Sequence, residues 1–223
     1  DLLRPGTRDD NFVDTAFLIE VDRQSTKDEL KALKKELSSV MEEISLAVSD
    51  WQPMVTKLSE VAEEVTADYY PGSKEEKQNI QAFLRWLADD NFTITGYRSY
   101  DLKPVKGDYE LSQTEDSSLG LMRNSVSEKG RLISSLPEDA REITQDDRIL
   151  LLTKTNSKSR VHRPAHCDYI GVKRFNKEGE VIGEHRFIGL YASNFYNNSA
   201  RDIPLVSQKL KRVIEASGFA PQS

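Results

Sequence analysis

The chain has 223 residues, with 31 Lys+Arg against 37 Asp+Glu and a net charge of −6, which disfavours a generic binder of nucleic acid. A hydrophobic share of 37% and a mean hydropathy of −0.60 are low for one compact core. The apolar residues nevertheless recur in periodic runs, which excludes wholesale disorder and points to a helical arm plus a separate sheet domain. The lone cysteine, Cys167, allows neither an intrachain disulfide nor a C-x-x-C pair, and no apolar stretch approaches the roughly 18–20 residues that span a bilayer. No membrane partner and a reducing, cytoplasmic setting are expected.

Phe12 to Val21 alternates with period two and reads as a strand, reached within a few residues of a start at Asp1 that is not Met. Such a strand needs a partner, so its sheet is expected upstream and the chain reads as a piece of a longer protein. Thr26 with Glu29 forms a capping box ahead of Leu30, Leu33, Leu37, Met41 and Ile44 at helical spacing. Pro53 requires a kink or restart near Ser49-Asp50, where Asp50 is placed to cap a second helix carrying Val55, Leu58 and Val61. From Thr26 to Asp68 there are 5 Lys against 10 Asp+Glu, a solvated acidic face opposite an apolar stripe.

Pro71-Gly72 and the cap pair Ser73 and Glu76 open a third helix with Ile80, Phe83 and Leu87 inward, closed by Asp89-Asp90-Asn91. From Phe92 to Leu102 the period is two, with Gly96 marking a bulge or a close backbone approach. Short strands are expected at Tyr109–Ser112 and Ser118–Arg123, with a mobile polar stretch, Ser112–Ser118, between them. Asn124 to Asp147 is irregular apart from a helical turn at Pro137–Arg141. Ile149 to Thr155 reads as a strand buried on both faces. Asp168–Phe175 and Glu180–Ala192 form a hairpin about Asn176–Gly179, and Leu205 to Ile214 is a last amphipathic helix closed by Gly218.

No G-x-G-x-x-G, Walker-type loop or G-x-S-x-G elbow occurs in the chain, so no catalytic or cofactor-binding residue is assigned. His162, His166 and His185 gather near Cys167. An i, i+4 ligand pair needs a helix, however, and Pro164 imposes extended chain, so no metal site is expected. His185 then reads as sheet surface and the other two as loop residues. The tyrosines Tyr97, Tyr100, Tyr169 and Tyr191 read as packed against the sheet rather than as a platform for bases.

The hairpin region is basic in an acidic chain. Arg163, Lys173, Arg174, His185 and Arg186 are the candidates for contact with an effector anion or a neighbouring domain. By alternation Lys173 and Phe175 share a face opposite Arg174, and Arg186 is out of phase with His185 and Phe187. If the register brings Arg174 and Arg186 together, their like charges need an answering carboxylate or anion. Glu184, two residues from Arg186, is the internal candidate.

Ala88-Asp89-Asp90-Asn91-Phe92, Gly96-Tyr97-Arg98, Leu119-Gly120 with Arg123, His162-Arg163-Pro164, Asp168 to Phe175 and Gly183 to Tyr191 together resemble the N-terminal region of the large bacterial NAD-dependent glutamate dehydrogenases. Trp51-Gln52-Pro53-Met54 and the final helix extend the likeness over most of the chain. The resemblance implies a non-catalytic regulatory and assembly segment, in a family whose N-terminal half contains ACT-like and PAS-like modules. The parent would convert L-glutamate, NAD and water to 2-oxoglutarate, ammonia and NADH. Its catalytic and nucleotide-binding residues would lie downstream, so NAD belongs to the parent and no cofactor to this fragment. Partners would be the parent's other domains and further copies of the subunit.

The expected fold is α+β: a long kinked helical connector followed by an antiparallel PAS-like sheet with a C-terminal helix, with an ACT-like sheet as the alternative. Residues 1–70 would end an upstream ACT-like module, and residues 71–223 would form the PAS-like domain. A stand-alone module that senses a small anionic effector is the second functional reading.

Overall fold

The computed structural model describes residues 18–125, 130–138, 141, 144, 146–193, 195 and 198–217. The chain divides into two compact units after Ser38, and the first holds the N-terminal part of helix α1 (Lys27–Ser49). The capping box forms as expected. The Glu29 amide donates to Thr26 Oγ1 at 3.2 Å, and the Thr26 amide donates to Glu29 Oε2 at 2.9 Å. The strand expected over Phe12–Val21 lies mostly outside the described residues. Its described end, Leu18–Val21, is irregular and exposed, and no described strand pairs with it.

In the second unit the chain restarts after Asp50 as α2 (Trp51–Glu64), which places Pro53 in the first helical turn, where its missing N–H costs no intrahelical bond. Asp50 does not cap this helix with its side chain. Its carboxylate is turned to a distant segment, accepting from the Gly120 amide at 2.7 Å and from Arg123 Nη2 at 2.9 Å. Helix α3 (Lys74–Trp86) begins on the expected cap, the Glu76 amide donating to Ser73 Oγ at 3.1 Å. Asn91 closes the turn that follows by donating to the Trp86 and Asp89 carbonyls, both at 2.8 Å.

The remainder is a curled antiparallel sheet ending in a helix, an α+β arrangement as expected. Its strands are β1 (Phe92–Val105), β2 (Asp108–Gln113), β3 (Leu119–Gly120), β4 (Arg131–Leu132), β5 (Leu150–Lys158), β6 (His166–Phe175) and β7 (Val181–Tyr191), and α4 is Val206–Ser217. They lie in the order β4-β2-β1-β7-β6-β5, with β3 added to β1. Helices α2 and α3 cover one face, where Met54, Leu58, Val61, Phe83 and Leu84 share a core with Ile94, Ile170, Val172 and Phe187.

Three local expectations are corrected. Strand β5 is an edge strand rather than one buried on both faces: Leu152 is 45% exposed, and only β6 pairs with it. Its apolar run ends at Leu152, and the strand is polar beyond it. The stretch Ser112–Ser118 is tied down, because Ser117 Oγ accepts from the Ser99 amide at 3.1 Å and Thr114 Oγ1 donates to Asp101 Oδ1 at 2.9 Å. Phe175 does not share a face with Lys173. The register shifts between Arg174 and Phe175, turning Phe175 onto Tyr70 in the helix-side core, ring centroids 5.0 Å apart. The expected stop at Gly218 lies outside the described residues.

Gly96 lies at a second bulge, where the β1–β7 register shifts, and pairs with Gly120 of β3. Gly120 has φ +57°, and a Cβ there would lie 2.3 Å from the Thr95 carbonyl oxygen. Gly120→Ala is therefore expected to destabilise the chain by about 2 kcal/mol or more, since both conformation and space exclude the methyl. Urea unfolding checks this, and a loss below about 0.5 kcal/mol would contradict the packing of β3 on β1.

Candidate functional site

The five sequence candidates do not form one site. Register pairs Arg174 with Gly183, Lys173 with Glu184 and Gly171 with Arg186, so Arg174 and Arg186 lie on opposite faces and their guanidinium groups do not converge. Arg174 stays on the helix-covered face, donating through Nη1 to Asp101 Oδ1 at 2.8 Å and Ser99 Oγ at 3.1 Å. His185 shares that face and is buried, which corrects its reading as sheet surface. Its Nδ1 is 2.8 Å from the Tyr97 hydroxyl, and Nε2 faces Glu64 Oε2 at 3.4 Å, an ion-pair separation whose geometry falls short of a hydrogen bond. Arg163 is elsewhere again, donating to the Tyr191 carbonyl at 2.9 Å.

Lys173 and Arg186 lie on the opposite face, and there they line a cavity of about 300 Å³. Leu102, Leu111, Leu136, Leu151 and Val181 form its apolar wall, and Tyr169, Lys173, Glu184 and Arg186 supply polar groups. Lys173 is nearly buried, and its ammonium donates to the Asp146 carbonyl and to Asp146 Oδ1, both at 2.5 Å. Arg186 donates through Nε to Glu184 Oε2 at 3.1 Å, and its Cζ lies 3.9 Å from the centroid of the Tyr100 ring, a cation–π contact. The Tyr169 hydroxyl donates to the other Glu184 oxygen. Gly171, opposite Arg186, makes this possible, because a Cβ there would lie 2.2 Å from Glu184 Oε1.

The electrostatics follow from burial. Tyr169 is held well above the usual phenol range, by desolvation first and then by the Glu184 charge. Desolvation works against the Arg186 cation, but the anionic surroundings led by Glu184 outweigh it and raise its pKa. On the helix face, burial pushes Tyr97 up to about 12.

The arginine opposite Arg186 in register is Arg98, paired with it across β1 and β7, and not Arg174. Arg98 is buried and donates to Ser118 Oγ at 2.9 Å and to the Met122 carbonyl. Among the described residues it has no carboxylate partner. Alternation alone places Glu184 with Arg186. The roles of Arg98, Tyr100 and Asp146 depend on long-range register and loop packing that no local pattern reveals.

The other chemical candidates scatter. His162 and His166 are exposed, Cys167 is buried with its thiol pushed up by desolvation, and among the described residues no group of three His, Cys, Asp or Glu could hold a metal. Tyr191 stacks on Phe195 with centroids 4.4 Å apart, as a packing residue does. A wider groove of about 540 Å³ runs between α3, β5 and α4, lined by Ile80, Phe83 and Leu150 with Arg148, Lys209 and Arg212. Among the described residues no helix is long and apolar enough to cross a membrane.

No family model matches the chain. It is 32% identical over 212 residues to a protein of Halomonas elongata named NAD-specific glutamate dehydrogenase, a match covering 94% of this chain and 13% of that protein. It is 31% identical over 206 residues to the protein of the same name from Pseudomonas aeruginosa, covering 92% of this chain and 13% of that one. The protein so named in Mycobacterium tuberculosis is 26% identical over 193 residues. By descent, the chain belongs with one segment of the large NAD-specific glutamate dehydrogenases. It spans about an eighth of the length of the relatives it matches.

Among the carboxyls held below their ordinary range, four are tied to arginine, lysine or histidine partners. At Asp50 the Arg123 hydrogen bond is the main cause, and at Glu64 the His185 contact is. At Asp101 and Asp146 burial opposes ionisation, and Arg174 and Lys173 respectively, with further hydrogen bonds, overcome it. A carboxyl whose folded pKa is depressed stabilises the fold when ionised. That contribution is present above the unfolded value, about 4, and is lost as pH falls through the depressed one. Unfolding free energy measured by urea titration should therefore fall steeply below about pH 4. Asp101→Asn should lower stability at neutral pH and flatten that fall, whereas an unchanged slope would show that the Arg174 pair contributes nothing to it.

Proposed function

We propose that the chain is a regulatory and assembly segment, itself non-catalytic, from the N-terminal region of a large cytoplasmic NAD-dependent glutamate dehydrogenase. The observation that carries this reading is the near-complete match of the chain to a small fraction of its relatives, which leaves most of their length for the chemistry. The parent would oxidise L-glutamate with NAD to 2-oxoglutarate and ammonia, using residues outside this segment. A hairpin, an irregular middle and three further antiparallel strands support a PAS-like description of the sheet, with ACT-like as the alternative. The upstream ACT-like module would end in α1. A boundary near Ser38 serves that proposal better than one at residue 70, because α2 shares its core with the sheet. A stand-alone anion sensor is the second reading, favoured by the cavity at Lys173 and Arg186.

The 223-residue chain incubated with glutamate and NAD is expected to give no NADH absorbance above a protein-free blank. Saturable turnover would overturn the non-catalytic assignment. Assembly has its own test. Leu30, Leu37, Met41 and Val48 are exposed on α1, Val48 at 70%. An apolar stripe of this kind favours association with further copies. Light scattering over a concentration series should show a mass above that of the monomer, and a monomeric mass at every concentration would count against it.

A further inference from the structure

Within the cavity, Arg186 is held as a ligand-binding arginine is held. Its plane rests on Tyr100, with Cζ 3.9 Å from the ring centroid, and Nε is committed to Glu184 at 3.1 Å. Its two Nη groups have no hydrogen-bond partner among the described residues, although the side chain is only 21% exposed. These donors are free to meet a ligand in the cavity, and their planar fork matches a carboxylate. The charges agree with this. The cations Lys173 and Arg186 line the cavity, and Lys173 is already held by Asp146, whereas Glu184 takes only the Nε of Arg186. Beyond this polar end the wall is leucine and valine.

We propose that this cavity binds a small monocarboxylate with a branched apolar body, its carboxylate in the fork of Arg186 and its body against Leu102, Leu111 and Leu151. A second carboxylate would lie against those leucines, with Lys173 already held by Asp146, so dicarboxylates are disfavoured. The site therefore selects against glutamate and 2-oxoglutarate. The proposal concerns the cavity alone and holds whichever reading of the chain's function is right.

Isothermal titration of the 223-residue chain with 4-methylpentanoate tests it, with 4-methylpentan-1-ol and glutarate as controls. The acid should bind saturably, and the alcohol and glutarate should each bind at least about tenfold more weakly. Arg186→Met keeps an apolar stack on Tyr100 and removes the fork, so it should abolish the preference for acid over alcohol. If that variant does not fold, Leu111→Trp decides the matter, because it fills the apolar end without touching the charges and should abolish binding of the acid. No saturable binding to the parent chain would overturn the proposal. So would equal affinity for acid and alcohol, tighter binding of glutarate, or undiminished binding in a folded Leu111→Trp variant.

Discussion

The strands β6 and β7 have no exposed residue between Cys167 and Phe175 or between Val181 and Tyr191, and this constrains everything charged upon them. Helices α2 and α3 cover one face, and the cavity lies on the other. A charge removed from water must be paired or neutralised, so each cation of the hairpin needs its own partner on its own face. Arg174 has Asp101, Lys173 has Asp146 and Arg186 has Glu184, while His185 lies between Tyr97 and Glu64. The partners come from β1, β7, helix α2 and the segment before β5, so the pairs hold distant parts of the chain to the sheet. Asp50 does the same for the helical arm, tying the α1–α2 junction to Gly120 and Arg123.

How much of this was legible in the sequence follows from the range of each signal. The Thr26–Glu29 box, the Ser73 cap, the restart at Asp50 and the hairpin about Asn176–Gly179 are set within a few residues, and all are present. The readings that failed depended on partners far along the chain. Leu150-Leu151-Leu152 has the apolar run of a central strand, but the sheet order leaves it at the edge. Phe175 follows alternation until a register shift turns it over. Basic residues adjacent in sequence looked like one patch, and period two divided them between two faces. Of the five candidates Lys173 and Arg186 share the cavity, Arg174 and His185 share the helix face beside Glu64, and the tyrosines and Glu184 that give Arg186 its setting come from register.

The division has a functional consequence. On the helix face Arg174 is answered by Asp101 and His185 by Tyr97 and Glu64, contacts that join β1 and α2 to the hairpin. On the cavity face the fork of Arg186 remains open beside a leucine wall, so that face can respond to a small molecule. Binding there would bear on Glu184, Tyr169 and, through Lys173, on Asp146 in the segment that leads into β5.

The central claim is that charges neighbouring in sequence act on separate faces, and double-mutant cycles on unfolding free energy test it most directly. Alanine cycles on Arg174 with Asp101 and on Arg186 with Glu184 should each give a coupling of about 0.5–3 kcal/mol, and the crossed cycle of Arg174 with Glu184 should be additive within about 0.5 kcal/mol. Strong coupling in the crossed pair, or none in the two face-specific pairs, would contradict the account.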